Sequence, residues 1–304
     1  MIPPTRHPLI SVIVFACLPF HSGLFEAEIL GDKPKHLSGV SSVANDQAIT
    51  KMIWSPGLDD AFVPQGLAFA DGAIFIGAYQ SANPSVDRGQ CRVFKVDPQT
   101  GKTLGFFNLP DDCGHAGGLV FVGKGVLVAS DTRRLYKIEI DKALAAQSAD
   151  AGLLSTVRLS GEVKGSFIDF DGASIFSASS EKDQSKARGH FFPLSIFDTH
   201  KGKTINQDLA VRTLQIGVEG QGAAYDREGN LWLSFSSSKY GSLQKTDPKT
   251  GQILAEYRMP IGIEDLAFDD EGRLWAVSEA GTLRWSKWSQ KFPVVFQIDV
   301  SKLK

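Results

Sequence analysis

Three long polar side chains stand at the same point of a repeated pattern: Gln65 before GLAF, Gln221 before GAAY and Glu264 before DLAF. A carboxylate such as Glu264 on an otherwise apolar strand must meet water, a cation or a hydrogen-bond donor, because an unpaired buried charge is costly. It can anchor a metal or a cationic ligand, or simply line a solvated channel. The two glutamines can present amide donors and acceptors to one ligand, or tie neighbouring units together. His115, in Cys113-Gly-His-Ala-Gly-Gly118, offers an acid, a base or a metal ligand where glycines allow close backbone approach. Tyr79, Asp131, Ser180, Glu181, Ser236 and Glu279 end the following apolar runs. Asp131 and Glu279 have Arg133, Arg134 and Arg284 as candidate ion-pair partners. No G-x-S-x-G, H-E-x-x-H or P-loop motif is present.

These residues need elements that bring distant segments together, and internal repetition supplies them. Five segments share one form: GLAFADGAIFIGAY from Gly66, GLVFVGKGVLVASD from Gly118, FIDFDGASIFSASS from Phe167, GAAYDREGNLWLSFS from Gly222 and DLAFDDEGRLWAVSE from Asp265. Each reads as a strand, a tight turn with glycine and a second, more apolar strand. Successive starts lie 52, 49, 55 and 43 residues apart, the length of a four-stranded propeller blade. CRVFKVDPQTGK, LYKIEIDKAL, LSIFDTHKGK and LQKTDPKTGQ read as the third strand, turn and fourth strand of successive units. The last unit, VVFQIDVSKL, has no fourth strand after it, whereas Ile49–Trp54 (ITKMIW) is a strand without a hairpin. Ring closure pairs the two. The chain is therefore read as an all-β propeller of five four-stranded blades, closed by an N-terminal strand. A six-bladed ring, with a degenerate blade in residues 28–60, is the alternative. Only Asp141–Ala149 has helical character.

In a propeller the innermost strand of each blade starts on the face where the second strand ends. Gln65, His115, Gln221 and Glu264 are therefore expected around one polar pocket, with Tyr79 and Glu279 on its rim. The connecting loops add Tyr240, Trp285, Trp288, His190, Phe191 and Phe192.

Arg6 and His7 precede an apolar run, Leu9–Phe20, too short to span a bilayer but matching a signal-peptide core. Residues 1–23, extending to 27 on a later cleavage site, are read as a signal peptide, and 24–304 as one domain. An alternative reading of Val14-Phe-Ala-Cys17 puts a lipid on Cys17. The remaining cysteines, Cys91 and Cys113, form an even pair in an exported chain and are read as a disulfide. Net charge is −2 and no long basic run occurs, so nucleic acid is unsupported as a partner. No membrane span is expected.

The carriers of a family resemblance are Pro64-Gln-Gly-Leu-Ala-Phe69, Asp97-Pro-Gln-Thr-Gly101 and Asp247-Pro-Lys-Thr-Gly251. Through them the chain resembles extracytoplasmic propellers of the SMP-30/gluconolactonase-like, TolB-like and NHL types. The gluconolactonase resemblance implies a divalent cation such as calcium, held by a Glu, an Asn and an Asp at inner-strand starts. Gln65, Gly117, Ser166, Gln221 and Glu264 stand at those points, so Glu264 alone matches as a ligand. Plant-type glutaminyl cyclases, which have a similar Gln-Gly-Leu start, need a Glu where this chain has Ala116-Gly117. The expected function is binding of a small polar molecule, a glycan or a protein at the channel mouth. The alternative is a metal-dependent hydrolase or lyase centred on Glu264 and His115.

Overall fold

The computed structural model describes residues 28–304. The expected signal segment and Cys17 lie outside the described residues. Among those described, no helix is long and apolar enough to cross a membrane.

Five antiparallel sheets form the five blades of a ring. The first blade is Phe62–Ala70, Ala73–Gln80, Cys91–Val96 and Thr103–Asn108, from the axis outward. The second is Gly118–Gly123, Val126–Asp131, Arg134–Glu139 and Leu153–Leu159. The third is Phe167–Phe170, Ser174–Ala178, Arg188–Pro193 and Arg212–Gln215. The fourth is Gly220–Tyr225, Leu231–Ser236, Gly241–Thr246 and Ile253–Arg258. The fifth has Ile263–Phe268, Leu274–Ser278 and Val294–Ile298, and takes its outer strand from Ile49–Trp54. That closing strand runs antiparallel in the register Trp54↔Val294 to Ile49↔Ile298. Five blades and closure by the N-terminal strand are as the repeat pattern predicts. Ile29–Leu30 adds a short parallel edge beyond the closing strand.

The third blade departs from expectation. LSIFDTHKGK is not its third strand; Ile196–Thr199 within it is a short helix, and the third strand lies upstream at Arg188–Pro193. His190, Phe191 and Phe192, expected in a mouth loop, are therefore buried strand residues. The helical stretch of the second blade is Ile140–Ala146, close to where the sequence places it.

Blades pack face to face, so each sheet is apolar on both sides and its second strand reads as an almost unbroken hydrophobic run. Leu231–Ser236 (LWLSFS) is buried along its whole length. In the fourth and fifth blades a turn aspartate fixes the buried tryptophan six residues on: Trp232 Nε1 donates to Asp226 at 3.0 Å and Trp275 Nε1 to Asp269 at 2.9 Å.

The inner strands meet closely because glycines precede their apolar runs. A Cβ on Gly222 would collide with Cα of Asp265 in the next blade, and one on Gly118 would lie 2.6 Å from the Ile168 nitrogen. Inner-strand N–H groups turned toward the axis have no strand beside them. Asp265, fully buried at the position that Gly66, Gly118 and Gly222 occupy in their blades, answers for three of them. Its carboxyl oxygens accept from Leu67 N (2.9 Å), Leu119 N (3.2 Å) and Ala223 N (3.3 Å). One side chain thus binds four blades across the axis.

Cys91 and Cys113 form the expected disulfide, with Cα atoms 5.9 Å apart and a separation of 22 positions in sequence. The bridge ties the third strand of blade one to the loop carrying His115. Removing it as Cys91→Ser/Cys113→Ser should lower unfolding free energy by about 3 kcal/mol in the chain-entropy model. Urea unfolding of both forms measures this; equal midpoints would assign the bridge no stabilising role.

Candidate functional site

At the mouth where the inner strands begin, a cavity of about 360 Å³ reaches down to Glu264. Gln65, His115, Gln221 and Glu264 all line it, together with Glu279 at the end of a second strand. It opens into a wider vestibule of about 640 Å³, and Ser180, Gln221, Glu279 and Trp285 border both. Tyr240, Trp288, Glu181 and Ser236 belong to the vestibule. Residues from all five blades thus converge on one opening.

Glu264 and Glu279 lie within hydrogen-bonding reach of one another, and Gln65 Nε2 donates to Glu279 Oε2 at 3.0 Å. Burial pushes Glu279 up to about 7 and Glu264 well above the usual carboxylate range, each raised further or held by its contact with the other. Two carboxyls so placed share a proton near neutrality, because both cannot ionise in one desolvated site. The pair is at once donor and acceptor. It is also too close to leave the gap for a water molecule that inverting glycoside hydrolysis requires between its two carboxyls.

His115 is held by its backbone and its ring. Asp131 Oδ1 accepts from His115 N at 2.8 Å and from Gly114 N at 3.2 Å, and Arg88 closes on Asp131 at 3.3 Å. Arg88, not Arg133 or Arg284, is therefore the ion-pair partner of Asp131; Arg134 pairs with Asp112 at 2.7 Å. The next residue, Ala116, has φ +52°, a left-handed backbone unusual for alanine and held by this loop. His115 Nδ1 lies 2.8 Å from the Asp87 carbonyl, which can only accept, so Nδ1 carries the proton and Nε2 is left as an acceptor. Desolvation pushes the imidazole below its ordinary value, so it stays neutral.

Tyr79 is not on the rim. It is fully buried behind His115, its ring stacked on the imidazole at 4.5 Å. Glu279, also expected on the rim, sits inside the cavity and is only 7% exposed. The alternation of a strand end does not tell a residue that enters a cavity from one that backs it.

Sequence reasoning gave Arg284 too small a part, naming it only as an ion-pair partner for the strand-end acids. It is 6% exposed, packs over Trp285 at 4.3 Å and over Tyr79 at 5.3 Å, and donates to the Pro84 carbonyl at 3.3 Å. Its Nε has no partner among the described residues. Burial alone lowers its pKa, with no carboxylate acting against it. Trp285 in turn stacks on Trp288 at 4.7 Å, giving a series of planar groups from cavity to vestibule. Lys164, also on the cavity wall, pairs with Glu181.

A calcium ion held as in gluconolactonases does not suit this donor set. Among the described residues no three His, Cys, Asp or Glu side chains converge as a metal cage. Asp265, the acid next to Glu264, has both oxygens engaged by backbone N–H groups.

No protein-family model matches the chain, and no curated protein matches it. Solved structures do resemble it. They include Kuenenia stuttgartiensis hydrazine synthase (12% identity, 71% of this chain and 55% of that one, TM-score 0.42). The Dos1 propeller is another (13% identity, 71% and 52%, TM-score 0.38). A third is the PQQ-bound aldose sugar dehydrogenase of Streptomyces coelicolor (15% identity, 72% and 78%, TM-score 0.42). The chain spans about half the length of the first two. The propeller assignment rests on the strand order given above.

Proposed function

We propose that this is an exported propeller that binds a small, uncharged, polyhydroxylated ligand of the carbohydrate class at the Glu264 mouth. The observation that carries the reading is the Glu264–Glu279 pair, with Gln65 on it, at the base of a cavity whose inner charges nearly cancel. The shared-proton pair contributes about one negative charge. Arg284 contributes one positive charge, Lys164 is neutralised by Glu181, and His115 is neutral; the further acid on the wall, Asp87, is solvent-exposed at the lip, where water screens it. Such a site gives a charged ligand little net attraction, but it offers paired donors and acceptors from carboxyls, amides and imidazole. Hydroxyl groups, which both donate and accept, match that set. The indoles of Trp285 and Trp288 on the vestibule wall supply apolar surface for the C–H side of a sugar ring. Export is supported by the signal-like N-terminal run and by the Cys91–Cys113 bridge.

Titration of the purified protein with neutral mono- and disaccharides, beside sugar acids and amino sugars, tests the reading through tryptophan fluorescence and calorimetry. A neutral sugar should bind, and Glu264→Gln should weaken it by at least about tenfold, since a neutral amide cannot share the proton. The fold should survive, as glutamine keeps the shape. Binding only of charged ligands, no binding at all, or unchanged affinity in Glu264→Gln would each overturn it.

A further inference from the structure

The channel has a second mouth, and it is chemically unlike the first. Where the inner strands end, every blade places an aromatic residue at the same repeat position: Phe69, Phe121, Phe170, Tyr225 and Phe268. Each is half-buried, and all five line a cavity of about 190 Å³. One acid lies on its wall, Asp169. Its Oδ2 accepts from Tyr225 N at 2.7 Å, and among the described residues no cation pairs with it. Desolvation in these surroundings pushes Asp169 up to about 7. The hairpin turns beyond the aromatics expose Asp71, Asp171, Glu228, Asp270 and Glu271. Lys124, Arg227 and Arg273 are the basic residues in these turns; Arg273 pairs with Glu271, Lys245 from the next strand pairs with Glu228, and Arg227 donates to the Asp270 carbonyl.

We propose that this aromatic collar is a second binding site, for a small organic cation bearing a methylated ammonium group. The chemistry narrows the class. A bare metal ion would have to shed its water for one carboxylate and at most one phenol oxygen, that of Tyr225. A primary ammonium needs acceptors for three N–H groups, and Asp169 can supply one or two. A methylated ammonium needs none. Its positive methyl surface is attracted to aromatic faces and gains a counterion in Asp169. A neutral apolar molecule of the same shape gains nothing from the carboxylate. The site is independent of the ligand proposed for the other mouth. Asp265 and the strand backbones it holds together lie between the two cavities, with Leu67 and Leu119 on the collar side.

Choline and its uncharged isostere 3,3-dimethylbutan-1-ol are the probes, titrated into the whole protein by calorimetry. Choline should bind, and the isostere should be weaker by at least about tenfold. Asp169→Asn, which keeps an acceptor for Tyr225 N, should cost choline a similar factor. Phe268→Leu should weaken choline as well, and it serves as the test should the Asp169 variant not fold. Glu264→Gln should leave choline binding unchanged. The proposal is overturned if neither probe binds, if both bind equally, or if neither collar variant alters choline affinity. Loss of choline binding in Glu264→Gln would place the ligand at the other mouth and overturn it too.

Discussion

Replacing Asp265 with alanine should destabilise the propeller by about 4 kcal/mol, more than any other single change considered. Three backbone N–H groups from three blades would lose their acceptor in a region where the side chain is fully buried. Each orphaned donor costs about 1–3 kcal/mol. Relief from burying a carboxyl, whose desolvation holds its pKa well above the usual range, offsets part of the sum. Asp265→Asn should fall between wild type and alanine. Its amide oxygen can still accept from Leu67 and Leu119, but its NH₂ would then face the Ala223 donor. Urea unfolding at one pH measures all three. A loss below about 1 kcal/mol for the alanine variant would show that the axis is held by packing alone.

The second large effect is a fall in stability as pH rises through the neutral range. Glu279 titrates at about 7 in the folded protein, above the ordinary carboxylate value near 4.5. Between those values the folded state keeps a proton that the unfolded chain releases. The stabilisation is therefore complete below about pH 4.5 and is lost as pH passes 7. For Glu279 alone the difference is on the order of 3 kcal/mol. Glu264, Asp265 and Asp169 act in the same direction, all through desolvation. His115 and His190, whose burial lowers their pKa, oppose it below about pH 6.5, where the unfolded chain binds protons they do not. Asp226 and Asp269, held low by hydrogen bonds against their desolvation, lose their contribution only in stronger acid. Urea midpoints should decline from about pH 6.5 to 8, and Glu279→Gln should flatten that decline. A flat wild-type profile, or an identical slope in the variant, would mean that Glu279 ionises freely.

Most of the ring was legible because its signals are local. A glycine turn between two apolar runs marks a hairpin wherever it stands, and Asp71-Gly72 or Glu228-Gly229 need no knowledge of the rest of the chain. The unpaired strand at Ile49–Trp54 and the short last unit required only a count. The third blade misled because HFFPLSIF is one apolar run that can be divided in two ways, and only packing against the neighbouring blades settles where the strand lies. The candidate site was partly legible: repeat alignment brought Gln65, Gln221 and Glu264 to one mouth, and His115 with them. It could not separate Glu264 from Asp265. On an innermost strand both neighbours are buried, one facing the cavity and one the axis, and apolar alternation carries no mark of that difference. Asp265 did leave a trace, as an acid where three other blades have glycine. Arg284 left none, since what sets it apart is that no acid pairs with it among the described residues.

The closing strand has a consequence for the order of events during folding. Ile49–Trp54 precedes its partner Val294–Ile298 by some 240 residues in the chain. Until the two meet its hydrogen-bonding edge has no native neighbour, and a separation of that length leaves a β-segment open to pairing with other chains. Four blades can form hairpin by hairpin from contiguous sequence, but the fifth can be completed only when Val294–Ile298 meets Ile49–Trp54. A chain arrested before Val294 would be an open arc with two unprotected ends.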